Sequence, residues 1–148
     1  MFNRNSSLLA PIVALVLSAC GGAAADATPQ PSTTSSGSAP PAYTDVGPDE
    51  LAAMLKTKDF VFVNAHVPYE GEIEQTDLFI PYDQAAELVD RLPADKAAKI
   101  VVYCRSDRMS RIAADAWAKA GYTDLYNLEG GFEAWEQAGY ALLQKEGR

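Results

Sequence analysis

Four apolar residues, Ile100-Val-Val-Tyr103, run without a break into Cys104, and a short polar loop then leads into an amphipathic helical stretch that ends near Ala120. A strand that is apolar at every position has both faces covered, as in a parallel sheet flanked by helices. Phe60-Val-Phe-Val63 repeats the pattern, Leu125-Tyr-Asn-Leu128 offers a third strand, and Tyr43-Thr-Asp-Val46 a short fourth. Helical signals fall between them. Leu51, Met54 and Leu55 share a face of a helix over 48–55, with Pro48 in its first turn. Asp83 is the candidate N-cap of a helix carrying Ala85, Leu88, Val89 and Leu92, ended by Pro93. After Cys104, Met109, Ile112, Ala113, Ala116 and Ala120 form one stripe, and Gly121 is a natural stop. Gly130-Gly131 turns into a last short helix through Trp135. Strands alternating with helices predict an α/β fold with a mostly parallel central sheet covered by helices on both faces. Ligand sites in such folds form beyond the carboxyl ends of the strands, where Cys104 stands.

The first third of the chain is built differently. Residues 1–19 carry Arg4 in a short polar start and an apolar run, Leu8 to Leu17, too short to span a bilayer. This segment closes on Leu17-Ser-Ala-Cys20-Gly21, which resembles the bacterial lipobox. The resemblance implies cleavage before Cys20 and lipidation of its sulfur, and several acyl chains would anchor the protein firmly. The alternative is an ordinary secretory signal cut after Ala19, leaving a free thiol. From Gly21 to Ala42 small residues and prolines dominate, with nothing large and apolar to bury, so this stretch reads as a disordered tether. The expected organisation is a signal peptide over 1–19, a lipidated cysteine and tether over 20–42, and a folded domain over 43–148. It places the protein on the extracytoplasmic side of a bacterial envelope membrane. With Cys20 blocked, Cys104 is the one remaining thiol. A net charge of −8 without a basic stripe argues against a nucleic-acid partner.

A cysteine between a strand and a helix lies near backbone N–H groups and the positive end of a helix dipole, which favour the thiolate. Arg105, Arg108 and Arg111 add positive potential. A lone cysteine at a strand end is commonly an inert packing residue; the arginines and the helix reverse that judgement here. The N–H groups from Arg105 through Ser106, Asp107, Arg108 and Met109 to Ser110 form a candidate anion nest at the helix start. His66, the only histidine, reads as a packing or hydrogen-bonding residue. Glu70, Glu72, Glu74 and Asp77 match no calcium-loop spacing and read as a solvated acidic rim. Trp117 and Trp135 read as packing residues. No metal or organic cofactor is implied.

The region from Tyr43 to Tyr140 resembles a rhodanese domain. The resemblance rests on Val-Val-Tyr-Cys104-Arg-Ser with Arg108, Met109 and Ser110, and on Gly121 through Leu128-Glu-Gly-Gly131-Phe-Glu-Ala-Trp135. It implies a three-layer rhodanese-like fold and a sulfurtransferase. The Cys104 thiolate would take sulfane sulfur from a small anionic donor such as thiosulfate or a persulfide. A thiol, sulfite or cyanide would then discharge the Cys104 persulfide, with Arg105 to Ser110 binding the substrate. The six-residue loop from Cys104 to Met109 matches the sulfur-transferring members, whereas the related dual-specificity phosphatases have a longer one. Three features depart from the pattern. Asp107 replaces the usual fourth-position glycine, which adds negative charge near the sulfur and removes glycine's freedom for left-handed backbone. Met109 stands where a basic residue is usual. The common Asp-x-Arg is Asn64-Ala-His66, and the Gly-His-Ile that follows is Gly71-Glu72-Ile73. Two other readings stay open at this point: a non-catalytic module that binds an anion or a protein with the loop, and a cysteine-dependent phosphatase.

Overall fold

The computed structural model describes residues 42–143. The expected signal peptide, Cys20 and all but the end of the tether lie outside the described residues. Five strands form one sheet in the order β1-β5-β4-β2-β3, every neighbouring pair parallel. They are β1 (Thr44–Val46), β2 (Val61–Asn64), β3 (Leu78–Phe79), β4 (Ile100–Tyr103) and β5 (Leu125–Leu128). The helices are α1 (Pro48–Leu55), α2 (Arg108–Lys119) and α3 (Gly131–Gln137).

The apolar strand that precedes Cys104 is β4, the centre of the sheet, and all four of its residues are fully buried. Side chains alternate across a strand, so β4 feeds two cores. Ile100 and Val102 pack with Val63, Ala113 and Trp117 beneath α2. Val101 and Tyr103 pack with Leu51, Phe62, Phe132 and Trp135 from α1 and α3 on the other face. The expected three layers are present.

Three expectations need correction. No α-helix spans 83–92; two short 3-10 turns, Tyr82–Gln84 and Val89–Arg91, occupy it, and Asp83 makes no capping bond. In an α-helix the Ala85 carbonyl would accept from the Val89 N–H; here it accepts the Trp117 indole N–H at 3.0 Å. Helix α2 is also turned relative to its predicted stripe. Ser110, Ala113, Ala114 and Trp117 are buried, while Ile112 is 41% exposed. The indole of Trp117 carries far more apolar surface than the alanines and isoleucine competing with it, and it sets the face. Finally, Glu72 is not a solvated rim residue: it is fully buried, and its backbone exchanges two 2.8 Å hydrogen bonds with Leu143. Asp77 is structural as well, accepting from the Phe62 N–H at 2.8 Å and from Lys58 Nζ at 2.6 Å.

Candidate active site

Strand β4 delivers Cys104 to the carboxyl end of the sheet, where its residue is only 1% exposed. The sulfur-bearing residue shares a pocket of about 200 Å³ with His66, Arg105, Ser106, Arg108 and Met109. Of the expected site residues, Asp107 and Ser110 are absent from this lining. Ser110 is fully buried beneath it, with Oγ 3.4 Å from Cys104 Sγ and 2.9 Å from the Asp107 carbonyl. Its single proton can serve either acceptor. Among the described residues, no backbone N–H of 105–110 donates to a protein acceptor. These free donors, in the loop after Cys104 and in the first turn of α2, are available to an anion.

The chain enters α2 through Asp107, whose φ of +91° is unusual for a residue other than glycine. Its carboxylate does not face the pocket. Oδ1 accepts from Asn127 Nδ2 and Oδ2 from the Gly130 N–H, both at 3.0 Å. The negative charge that Asp107 brings to the loop is thus held in hydrogen bonds, and the carboxylate latches the loop to the β5–α3 turn. Arg111 is likewise drawn away, to Asp45 at 3.3 Å and Asp107 at 3.8 Å, and takes no part in the pocket.

Helix α3 holds the loop from the other side. The Phe132 N–H donates to the Cys104 carbonyl at 2.9 Å and the Glu133 N–H to the Arg105 carbonyl at 3.1 Å. That approach requires Gly131, because a Cβ there would collide with the Cys104 carbonyl and the Arg105 backbone.

Arg105 is bound more closely than the sequence suggests. Its Nε donates to Glu133 Oε1 at 2.6 Å and its Nη1 to Glu70 Oε2 at 3.2 Å. The Glu133 hydrogen bond, followed by the Glu70 charge, raises the guanidinium above its ordinary value, so it stays cationic. His66 is expected to pack or hydrogen-bond, and it does both, lying 5.3 Å edge-on to the Phe132 ring and bonding Glu70. It is also a wall of the pocket, with Nε2 bonded to Glu70 Oε2 at 2.8 Å and a buried Nδ1 without a protein partner. The signal that could have found it is its place just past the carboxyl end of β2, the same rule that located Cys104.

One residue before the cysteine, the buried Tyr103 hydroxyl accepts from the Ile73 N–H at 2.9 Å and bonds Thr76 Oγ1 at 2.8 Å. This ties the acidic segment to β4. Tyr103→Phe is expected to lower stability by about 1–2 kcal/mol in urea titrations, because the Ile73 N–H loses its partner in the interior. Burial pushes the Tyr103 phenol up. In the unfolded chain a tyrosine ionises near pH 10. The neutral phenol therefore stabilises the fold below about pH 10, and that stability falls as pH rises further. The phenylalanine variant should show a shallower alkaline loss.

A family model described as the rhodanese-like domain matches residues 47–138. A tRNA uridine(34) hydroxylase of Erwinia tasmaniensis is 39% identical over 89 residues, covering 55% of this chain and 25% of that protein. The chain thus spans about a quarter of that relative. A sulfurtransferase of Allochromatium vinosum is 31% identical over 97 residues, covering 64% of this chain and 88% of that one. Among solved structures, a rhodanese-related protein of Thermoplasma volcanium superposes with a TM-score of 0.60 at 23% identity. It covers 70% of this chain and 100% of its own.

Proposed function

The chain belongs to the rhodanese-like family, and from that membership we propose that it is a sulfurtransferase whose nucleophile is Cys104. The observation that carries the reading is the enclosure of the cysteine: a sulfur at a strand end, unoccupied N–H groups around it, and the Ser110 hydroxyl 3.4 Å away. An anionic sulfur is stabilised there, and a second sulfur bonded to it would meet the same donors. The Cys104 thiolate attacks the outer sulfur of a donor. A new S–S bond forms, the donor's S–S bond breaks, and its electron pair leaves on sulfite or a thiolate. A second nucleophile (a thiol, sulfite or cyanide) then removes the outer sulfur and restores the thiolate. No external oxidant is consumed.

The rival reading is a binding module without chemistry, which a carboxylate in the loop would favour; hydrogen bonds to Asn127 and Gly130 turn the Asp107 carboxylate away from the pocket lining. We further propose that the mature protein is tethered to an envelope membrane through lipid on Cys20, as its lipobox-like segment suggests. Labelling with a radioactive fatty acid should be lost in Cys20→Ala; persistence of label would overturn the anchor.

Intact mass of the full-length protein after incubation with thiosulfate, and separately with cysteine persulfide, tests the sulfur-transfer reading. The expected result is a gain of about 32 Da that cyanide removes and that Cys104→Ser never acquires. No gain with either donor, from a thiol shown to be reduced, would favour the binding module.

A further inference from the structure

The geometry points to Glu70 and Glu133 as the residues that set donor charge: by holding Arg105 between them they select singly charged or neutral persulfides over dianionic donors such as thiosulfate. This rests on the sulfur-transfer reading and names its substrate class. Three arginines lie in or beside the loop; the sequence assigns the steering of an anionic donor to Arg105 and Arg108 and leaves Arg111 either to the loop's field or to the exposed face of the helix. The structure divides them. Arg111 is engaged by Asp45 and Asp107 outside the pocket. Arg105 lines the pocket but faces two carboxylates, at 2.6 Å and 3.2 Å. Arg108 is exposed and lines the pocket with no ionic partner among the described residues.

The two carboxylates therefore offset the charge of Arg105 beside the pocket, and Arg108 is left as the lining arginine without an ionic partner among the described residues. Glu133 stands at the start of α3, where a negative charge is favoured. Glu70 is shared by Arg105 and the His66 ring.

With Arg105 offset, Arg108 and the loop N–H groups are left to compensate the charge of a donor, and a dianion needs more of that compensation than a persulfide of lower charge. In the favoured step the Cys104 thiolate attacks the outer sulfur of R–S–SH. The donor's S–S bond breaks, R–S⁻ leaves with the electron pair, and the proton stays on the transferred sulfur.

The test compares kcat/KM for thiosulfate and for cysteine persulfide in the full-length protein and in Glu70→Gln, Glu133→Gln and the double variant. Glutamine keeps the shape and a hydrogen-bonding oxygen but removes the charge. The ratio of thiosulfate to persulfide efficiency is expected to rise about ten-fold in the double variant at low salt. That gain should shrink between about 0.01 M and about 1 M salt, as the Debye length falls from about 30 Å to about 3 Å. An unchanged ratio, or an equal loss with both donors, would overturn the inference and leave the two residues as supports for the loop. Failure of both donors to load Cys104 in any form would instead bring down the sulfur-transfer reading, and this inference with it.

Discussion

Gly131→Ala is expected to cost about 2–5 kcal/mol of stability and to cut sulfur loading of Cys104 roughly a hundred-fold. Two penalties add. Gly131 has φ of +58°, a left-handed conformation that costs an L-residue about 1–2 kcal/mol. The new Cβ would also lie inside the Cys104 carbonyl and the Arg105 backbone. Those atoms cannot swing aside as a flexible side chain would, since their carbonyls accept the Phe132 and Glu133 N–H groups. Relief requires moving the loop itself, and overpacking of this kind costs about 1–3 kcal/mol or more. A displacement of about 1 Å at a reacting atom is enough for the kinetic effect. Gly139→Ala is the control. Its φ of +90° is as unfavourable, but nothing lies within 4 Å of its added Cβ. It should lose only about 1–2 kcal/mol and keep its loading rate. Urea midpoints and stopped-time mass spectra read both quantities. Equal effects from the two variants would mean that backbone conformation alone matters, and that α3 does not hold the loop as argued.

What the sequence revealed and what it hid divide along the same line as local and distant contacts. Strands β2, β4 and β5 are legible because burial on both faces leaves an uninterrupted apolar run. Cys104 is legible as a site because strand, loop and helix follow one another in the chain. Strand β3 is two half-buried residues at the sheet edge, joined only to β2, too short to show a period. The stretch 83–92 has apolar spacing suited to a helix, yet the partner that breaks it, the Trp117 indole, lies 32 residues from Ala85. The acids that hold Arg105 are hidden for the same reason. Glu133 meets Arg105 across 28 residues and Glu70 across 35. Composition presents those acids as surface charge, and only the fold makes them neighbours of the cysteine loop.

Asp107 gives the sharpest expectation about that loop. Asp107→Ala should lower stability by about 2–3 kcal/mol, because it removes the acceptor for the Gly130 N–H and one of two acceptors for Asn127 Nδ2 while leaving φ at +91°. Asn127 is fully buried, so its amide then depends on Asp45 alone, at 2.7 Å. Asp107→Gly loses the same hydrogen bonds but relieves a backbone strain of about 1–3 kcal/mol, so the two changes nearly cancel. Glycine should therefore fall within about 1 kcal/mol of the parent and alanine well below both. Sulfur loading in Asp107→Gly should stay within about three-fold of the parent, since the carboxylate it removes is bonded to Asn127 and Gly130 and does not line the pocket. A rise of a hundred-fold would show that the carboxylate does reach the reacting anion, and would restore the reading in which the native loop is built to bind and not to react. If the order alanine below glycine holds with loading unchanged, aspartate and glycine are two solutions to one geometric demand. Glycine enters this backbone conformation at no steric cost; aspartate is held in it by hydrogen bonds to the turn that also positions Gly131.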